Sequence, residues 1–198
     1  MTADGEQTKA RLLTEARDLY LEQGFGRFSL REVARRAGVS AAAVYRHYDG
    51  KEALLRQVCA EGFRIFSSYL LRALSGATPR ERMVLCSRQY LRFAIEHPRD
   101  YRVIFMGGSD DFAALVPTGE GYETAPTFQF LVDRVRECMQ AGIIGKGDPI
   151  TTAALVWANV HGLSSLRLSG HLARAGSDEQ FARFYDDAVE RLLAGLAP

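Results

Sequence analysis

The segment from Ala41 to Tyr48 joins three consecutive alanines to a group of hydrogen-bond donors, Tyr45, Arg46 and His47. Hydroxyl, guanidinium and imidazole groups donate to phosphate oxygens, and arginine also donates to guanine. A buried helix would use larger apolar side chains than alanine, and a solvated helix seldom carries two tyrosines. The composition of this segment therefore favours a surface that meets an anionic partner.

The same part of the chain is locally basic. Between Phe25 and Lys51 there are six basic residues and two acidic ones, an excess of +4 in a chain whose formal net charge is +1. The basic residues are Arg27, Arg31, Arg35, Arg36, Arg46 and Lys51. Ordinary solvated surfaces also carry such patches, so the charge supports an anionic partner without requiring one.

The elements that would position these residues are helices. Nearly every segment has helical spacing and none alternates like a strand, so the sequence predicts an all-α fold of about nine helices. Ser29 to Glu32 reads as a capping box that opens a helix to about Ala37, and Ser40 caps the next helix, which runs to about Tyr48. Two short helices joined at Gly38 predict a helix-turn-helix, although a short helical hairpin could match by chance.

The outer face of the second short helix would suit duplex DNA. Ala41 and its neighbours let the backbone approach a base edge, where their methyl groups can pack on thymine methyls. Tyr45 and His47 can donate to phosphates, and Arg46 can reach guanine or phosphate. The helix has no acidic residue between Ser40 and Tyr48, and Lys51 adds a cation at the start of the following helix.

The rest of the chain also reads as helices. The predicted segments are 9–23, a long helix from about residue 49 towards 74, 79–97, a short helix through 101–105, 124–141, 149–170 and about 181–196. With 47% apolar residues the chain is globular, and we place a boundary between residues 1–53 and 54–198.

Three widely spaced cysteines (Cys59, Cys86 and Cys138) favour buried thiols over a disulfide framework or a zinc site. The amino terminus lacks the apolar core of a signal peptide and no stretch reads as a membrane span, so a cytoplasmic location is expected.

The stretch "TKARLLTEARDLYLEQGFGRFSLREVARRAGVSAAAVYRHYDGKEALLRQV" resembles the DNA-binding domain of the tetracycline-repressor (TetR) family of transcriptional regulators. The resemblance covers about the first quarter of the chain without a gap. Its most specific parts are Gly24-Phe25, "VARRAGVS" at 33–40 and "VYRHYDGKEALL" at 44–55. Farther on, "WANVHGL", from Trp157 to Leu163, is similar to a Trp-His-Gly signature of one group of carboxy-terminal domains in this family.

The resemblance implies a homodimer that binds a palindromic double-stranded DNA operator and is released by a small-molecule effector. By position, it places Ser40, Ala41, Ala43, Arg46 and Arg31 near bases, and Ser29, Tyr45, His47 and Lys51 near phosphates. Many relatives carry longer or hydroxylated side chains where the three alanines stand. We therefore expect methyl contacts and DNA shape to carry more of the selectivity here.

Aromatic residues are dense after residue 62, and they could enclose an apolar effector pocket. The candidate ligand-binding residues are Phe66, Tyr69, Phe93, Tyr101, Phe105, Phe128, Trp157 and His161. Core packing alone is the alternative for each of them. His161 lies one turn after Trp157 on the same helical face, where it could equally be a core histidine.

The last two helices are predicted to form the dimer seam. The helix from Pro149 is apolar nearly all round, so we expect both of its sides to be buried, one of them by a second copy. The final helix adds a stripe made of Phe181, Phe184, Tyr185, Ala188, Val189, Leu192, Leu193 and Leu196. Gly62, in the long helix, is either a close-packing position or a flexible point between the two parts of the chain.

Other classes of protein fit less well. The four histidines have no metal-ligand spacing, and "GIIGKG" at 142–147 lacks the Ser or Thr of a phosphate loop. No nucleophile, base and orienting group can be assembled, so we predict no enzyme, no catalytic or metal-binding residues and no cofactor. A helical interaction protein with a non-functional DNA head remains the main alternative, and a DNA-binding measurement would separate the two.

Overall fold

The computed structural model describes residues 3–107, 125–172 and 176–198. Within these ranges it contains nine α-helices, one 3₁₀ turn and no strand, which confirms the predicted all-α fold. The helices are α1 (Ala3–Arg27), α2 (Leu30–Arg36), α3 (Ala41–Tyr45), α4 (Lys51–Leu71), α5 (Pro79–Glu96), α6 (Pro98–Phe105), α7 (Pro126–Gln140), α8 (Pro149–Leu168) and α9 (Asp178–Gly195), and the 3₁₀ turn is Arg72–Ser75. None of the helices within these ranges is both long and apolar enough to cross a bilayer.

The described residues pack as two units. One unit takes its residues from Met1–Arg64 and Arg99–Gly119, and the other from Ile65–Pro98 and Glu120–Pro198. The change from one unit to the other falls inside α4. The boundary that we place between residues 53 and 54 concerns function, and it stays a prediction because packing units need not coincide with functional domains.

The first unit is built around the helix-turn-helix. Gly24 breaks α1 with a φ of 69°, and Gly38 turns the chain between α2 and α3 with a φ of 67°. Both angles lie in the left-handed region that glycine adopts without strain. Leu19 of α1, Val33 of α2 and Val44 of α3 are fully buried, so the three helices share one small apolar core.

Helix α6 belongs to this first unit and is joined to α1 by charged side chains. Arg17 donates to both carboxylate oxygens of Asp100, at 3.0 and 3.2 Å, and Arg99 donates to Asp18 at 2.8 Å. Gly62 of α4 lies against α6, because an added Cβ would sit 2.8 Å from Cγ2 of Ile104. The contact supports the close-packing interpretation of Gly62.

The second unit packs α5 against α7, α8 and α9, and α8 also contacts α7 and α9. Two predicted helix starts are confirmed by their caps. Thr78 and Glu81 form a capping box on α5, where Pro79 follows the cap, and Asp148 accepts from the Thr151 N–H at the start of α8. The three cysteines are buried free thiols, as predicted.

Some residues of the α9 stripe are buried inside the second unit, and others are exposed on its surface. Four of its members are buried in the unit: Phe181, Tyr185, Val189 and Leu193. Tyr185 also donates its hydroxyl hydrogen to the Ser87 carbonyl of α5 at 2.9 Å. Phe184 is 45% exposed, so it is available to a partner while the buried members belong to the core. Leu155 and Leu166 of α8 are also exposed in the single chain, so burial of that side of the helix by a second copy stays a prediction.

Candidate nucleic-acid interface and effector site

Helix α3 presents a short polar and alanine-rich face to solvent. Ser40 caps the helix, since its Oγ accepts from the Ala43 N–H at 3.2 Å. Tyr45 is 56% exposed, Arg46 is exposed and Ala41 is partly exposed. The helix ends at Tyr45, three residues earlier than predicted, and His47 follows on an exposed turn.

Ala43 differs from the other predicted residues because only 9% of it is exposed. Its methyl group therefore faces the core of the first unit, beside the buried Val44, and Ala42 is the exposed alanine. The exposed position of Ala42 could have been predicted from helical geometry. Successive residues are 100° apart, so the residue two positions before an inward Val44 lies on the opposite side of the helix.

The basic excess of this region is smaller than the sequence count indicates. Arg35 donates twice to Glu32, at 2.6 and 2.8 Å, and Arg36 donates once to Glu32 and twice to Glu22. Glu22 lies outside the counted segment. Hydrogen bonds from the two arginines lower the pKa of Glu32 to about 2, so this carboxylate is charged at neutral pH.

A surface depression of about 380 Å³ brings four of the predicted residues together from three helices. Its lining consists of Phe28, Ser29, Leu30, Arg31, Tyr45, Gly50 and Lys51. Hydroxyl, guanidinium and ammonium groups converge here without a carboxylate in the lining. Such a group of donors can bind a phosphate oxygen.

Lys51 is anchored at this depression by the turn that follows Gly24. Its Nζ donates to the Phe25 carbonyl at 3.3 Å and lies 4.0 Å above the centre of the Phe25 ring. An ammonium group has three hydrogens, so the contact to Phe25 leaves donors for a second partner. The remaining predicted residues, Ser40, Ala41, Ala43, Arg46 and His47, do not line this depression.

The second unit contains an aromatic and polar cluster centred on Tyr90. The Tyr90 hydroxyl accepts from the Trp157 indole N–H at 3.3 Å and lies 3.0 Å from His161 Nδ1. Burial lowers the pKa of His161 from its ordinary value of 6.5, so its imidazole is neutral at pH 7. A neutral Nδ1 can accept the hydroxyl hydrogen of Tyr90, which makes the three groups one hydrogen-bonded chain.

Rings extend this cluster on both sides. Phe66 lies 5.4 Å from Tyr90 and 5.0 Å from Phe93, measured between ring centres, and Tyr69 and Phe128 continue the series at about the same spacing. Six of the eight candidate ligand residues therefore meet here: Phe66, Tyr69, Phe93, Phe128, Trp157 and His161. Such spacing is also that of a packed core, so a cavity beside these rings stays a prediction.

Tyr90 was missing from the candidate set, and two candidates lie elsewhere. Tyr90 precedes Phe93 by three residues on α5, a spacing that places both on one helical face. Tyr101 and Phe105 belong to the first unit, where their rings are 5.2 Å apart and Phe105 meets Phe63 at 6.1 Å.

Solved structures resemble the whole chain. A protein with unknown function from Rhodococcus sp. RHA1 superposes with a TM-score of 0.74 at 27% identity, covering 96% of both chains. A TetR family transcription regulator from Marinobacter aquaeolei VT8 superposes with a TM-score of 0.76 at 19% identity, covering 100% of this chain and 99% of that one. At 19% identity, the second likeness concerns the fold alone.

Curated sequence relatives match a part of the chain. Over 58 residues the chain is 38% identical to the HTH-type transcriptional regulator SrpR of Pseudomonas putida, a stretch that makes up 29% of this chain and 27% of SrpR. The match to this curated relative thus spans about a quarter of its length.

Two family models match the chain. Residues 12–58 match the model described as bacterial regulatory proteins, tetR family, and residues 83–192 match the model described as Tetracyclin repressor-like, C-terminal domain. The second match alone covers more than half of the 198 residues. The members of this family are regulators and not enzymes. The chain belongs to the TetR family of transcriptional regulators.

Proposed function

We propose that this regulator is a ligand-responsive repressor that binds a palindromic operator as a homodimer and leaves the operator when a small apolar or aromatic effector binds. One observation carries the DNA-binding part of the proposal: the exposed α3 face stands beside a depression whose described lining residues include Ser29, Arg31, Tyr45 and Lys51 and no acidic residue. The depression would take backbone phosphates while α3 enters the major groove. Arg46 and the exposed alanines would then meet base edges.

The dimer part rests on the outer side of α8. Leu155 and Leu166 are 52% and 42% exposed, and the helix has no charged residue before Arg167. Charged residues are depleted at the centres of protein interfaces. Gly162 lies between the two leucines at helical spacing, and an added Cβ there would meet nothing within 4 Å among the residues that the structure describes. Glycine inside a helix costs about 1 kcal/mol relative to alanine, and close approach of a second α8 would account for it.

The effector part rests on the Tyr90 cluster. Its rings are largely apolar, and the polar groups at its centre, on Tyr90, Trp157 and His161, are uncharged at neutral pH because burial lowers the pKa of His161. At its edge, Tyr69 donates to the Glu96 carboxylate. An uncharged aromatic or apolar compound with a hydrogen-bonding group matches this chemistry better than a strongly charged one.

Selection of DNA sites by the purified protein, followed by fluorescence anisotropy on the selected duplex, tests the proposal. We expect a palindromic site and an affinity that falls as salt rises, since phosphate contacts release counterions. A Tyr45→Ala/Arg46→Ala double variant should bind at least about tenfold more weakly. An Arg136→Ala variant, which changes an exposed arginine of α7, should bind like the wild type.

Equal affinity of the double variant and the wild type would contradict the docking face. Absence of any duplex binding would instead favour the helical interaction protein. Repression and release are tested separately, with a reporter driven by the selected site and with aromatic compounds added to the anisotropy assay.

A further inference from the structure

Two glutamates hold two arginines of the helix-turn-helix in a closed ion-pair network. Glu32 accepts from Arg35 through both oxygens, with Nε to Oε2 at 2.8 Å and Nη2 to Oε1 at 2.6 Å. The same Oε1 accepts from Arg36 Nε at 3.1 Å. Glu22 of α1 completes the network, since its two oxygens accept from Arg36 Nη1 and Nη2 at 3.0 and 2.7 Å.

The network lies close to the face that we assign to DNA. Arg31 lines the depression, and Arg35 follows it by four residues on α2, a spacing that puts both side chains on one side of the helix. The Arg35 side chain is 72% exposed, so solvent reaches it and a phosphate could too. Arg35 is therefore a cation at the edge of the docking face whose charge is already matched.

The other cations of the face differ from this pair. Among the described residues, Arg31 and Arg46 have no acidic group within ion-pair distance, and Lys51 is held by a carbonyl and a ring. These side chains keep an uncompensated charge. The structure thus separates cations that are open to phosphate from cations that are matched by carboxylates.

We propose that Glu32, in a network that Glu22 completes through Arg36, masks Arg35 from DNA phosphates and thereby keeps the affinity for unrelated DNA low relative to that for the operator. The inference rests on the proposed DNA-binding function. Each additional phosphate contact adds affinity for every sequence alike, because backbone charge carries no sequence information. Removing such contacts lowers non-specific binding without removing a base contact, which raises the specificity ratio.

The test compares Glu32→Gln and Glu22→Gln with Glu61→Gln. Glu61 pairs with Arg64 in the same arrangement as Glu32 with Arg35, at 2.8 and 2.6 Å, but it lies ten residues after Lys51, about 15 Å along α4. Anisotropy would measure the affinity of each protein for the selected operator and for an unrelated duplex, between 50 and 300 mM salt as roughly the range in which counterion release dominates.

We expect Glu32→Gln to tighten binding to unrelated DNA by up to about tenfold near 0.1 M salt, for each arginine that gains a phosphate. The slope of log K against log salt should steepen by about 0.9 for each such contact. Glu22→Gln should act in the same direction, and Glu61→Gln should leave both quantities unchanged. The ratio of operator affinity to non-specific affinity should fall in the first two variants.

A double-mutant cycle with Arg35→Gln keeps the test valid even if Glu32→Gln is less stable than the wild type. Alone, Arg35→Gln should leave the salt slope of non-specific binding unchanged, since a masked arginine makes no phosphate contact. In the Glu32→Gln background it should reverse the gain. Suppose the wild type binds the operator, but Glu32→Gln and Glu61→Gln have equal non-specific affinity and equal salt slope. This result would overturn the masking proposal and leave the proposed function intact. A shallower salt slope of non-specific binding in Arg35→Gln alone would also overturn it. A wild type that binds no duplex would overturn the proposed function and the masking together.

Discussion

Tyr48 follows α3 with a hydroxyl group that has no hydrogen-bond partner in the described part of the chain. The residue is only 7% exposed, its hydroxyl oxygen is buried, and burial raises the pKa of the hydroxyl. A buried hydroxyl without a partner loses its hydrogen bonds to water and gains none in return. The ring contributes apolar packing to the first unit while the hydroxyl opposes it.

Changing Tyr48→Phe should therefore stabilise the protein. We expect the free energy of unfolding to rise by about 1 kcal/mol, because the ring stays and an unsatisfied polar group is removed. Urea denaturation followed by circular dichroism measures the change. Operator affinity should remain that of the wild type, since the buried ring is retained.

Tyr185→Phe is the matched control for this change. It removes an equally buried hydroxyl, but one that donates to the Ser87 carbonyl at 2.9 Å. Its loss should lower the free energy of unfolding by about 1 kcal/mol. The same sign for both variants would show that hydrogen bonding does not decide the effect.

Two serines show how far single residues could be predicted from the sequence. Ser40 was predicted as the cap of α3, and its Oγ accepts from the Ala43 N–H. Ser29 was predicted to open a capping box with Glu32, but it makes no side-chain cap bond. Glu32 instead binds Arg35 and Arg36, and the second arginine is held in turn by Glu22 of α1. A local motif cannot reveal a competing partner that arrives from another helix.

Of the described helices, α3 is the shortest, so its own backbone hydrogen bonds stabilise it least. Five residues, Ala41–Tyr45, cannot sustain a helix without a cap and a buried contact, because helix nucleation is unfavourable. Ser40 supplies the cap, and Val44, which is fully buried, supplies the contact. The position of the docking face thus depends on the Ser40 hydroxyl and on the buried side chains of Val44 and Ala43.

Ser40→Ala should destabilise α3 and weaken DNA binding together. Loss of the cap should lower the free energy of unfolding by about 1 kcal/mol. Hydrogen exchange at the amides of 41–45 should also rise, as the short helix opens more often. Denaturation, exchange and anisotropy on the selected operator measure the three effects.

Ser29→Ala separates capping from contact with DNA. Ser29 stands at the N-cap position of α2 but makes no cap bond, so its loss should leave stability nearly unchanged. Because Ser29 lines the depression, operator affinity should still fall. Equal losses of stability in both serine variants would contradict the difference in capping.

At the level of elements, turns and caps could be predicted, but contacts between distant helices could not. Gly38 and Asp148 act through their own neighbours in the sequence, and both are confirmed. The fit of Gly62 against Ile104 joins residues 42 positions apart, and the pair of Arg17 with Asp100 joins residues 83 apart. No local pattern contains these partners, because they depend on how α4 and α1 meet α6 after folding.

For the whole molecule, the side of α8 that carries the exposed Leu155 and Leu166 is the surface that we propose for contact between two copies. Leu155 and Leu166 lie on a stretch without charge, and Gly162 between them has no neighbour in the described part of its own chain that requires a glycine. A second copy in contact with this surface would bury the leucines. It would also hold two DNA-binding heads together, so that binding of one head raises the effective concentration of the other.

Leu155→Asp should turn the proposed dimer into a monomer, since a carboxylate would be buried without a partner at the seam that we propose on α8. Operator affinity should fall by at least about a hundredfold, because the advantage of linked heads is lost. Analytical ultracentrifugation and anisotropy measure the two effects.

Leu71→Asp is the matched control. Leu71 is 57% exposed and Leu155 is 52% exposed, but Leu71 lies on α4. The Leu71→Asp variant should therefore remain dimeric and bind as the wild type does. A dimeric Leu155→Asp would place the contact between copies somewhere other than α8. A monomer that kept full operator affinity would separate DNA binding from dimerisation.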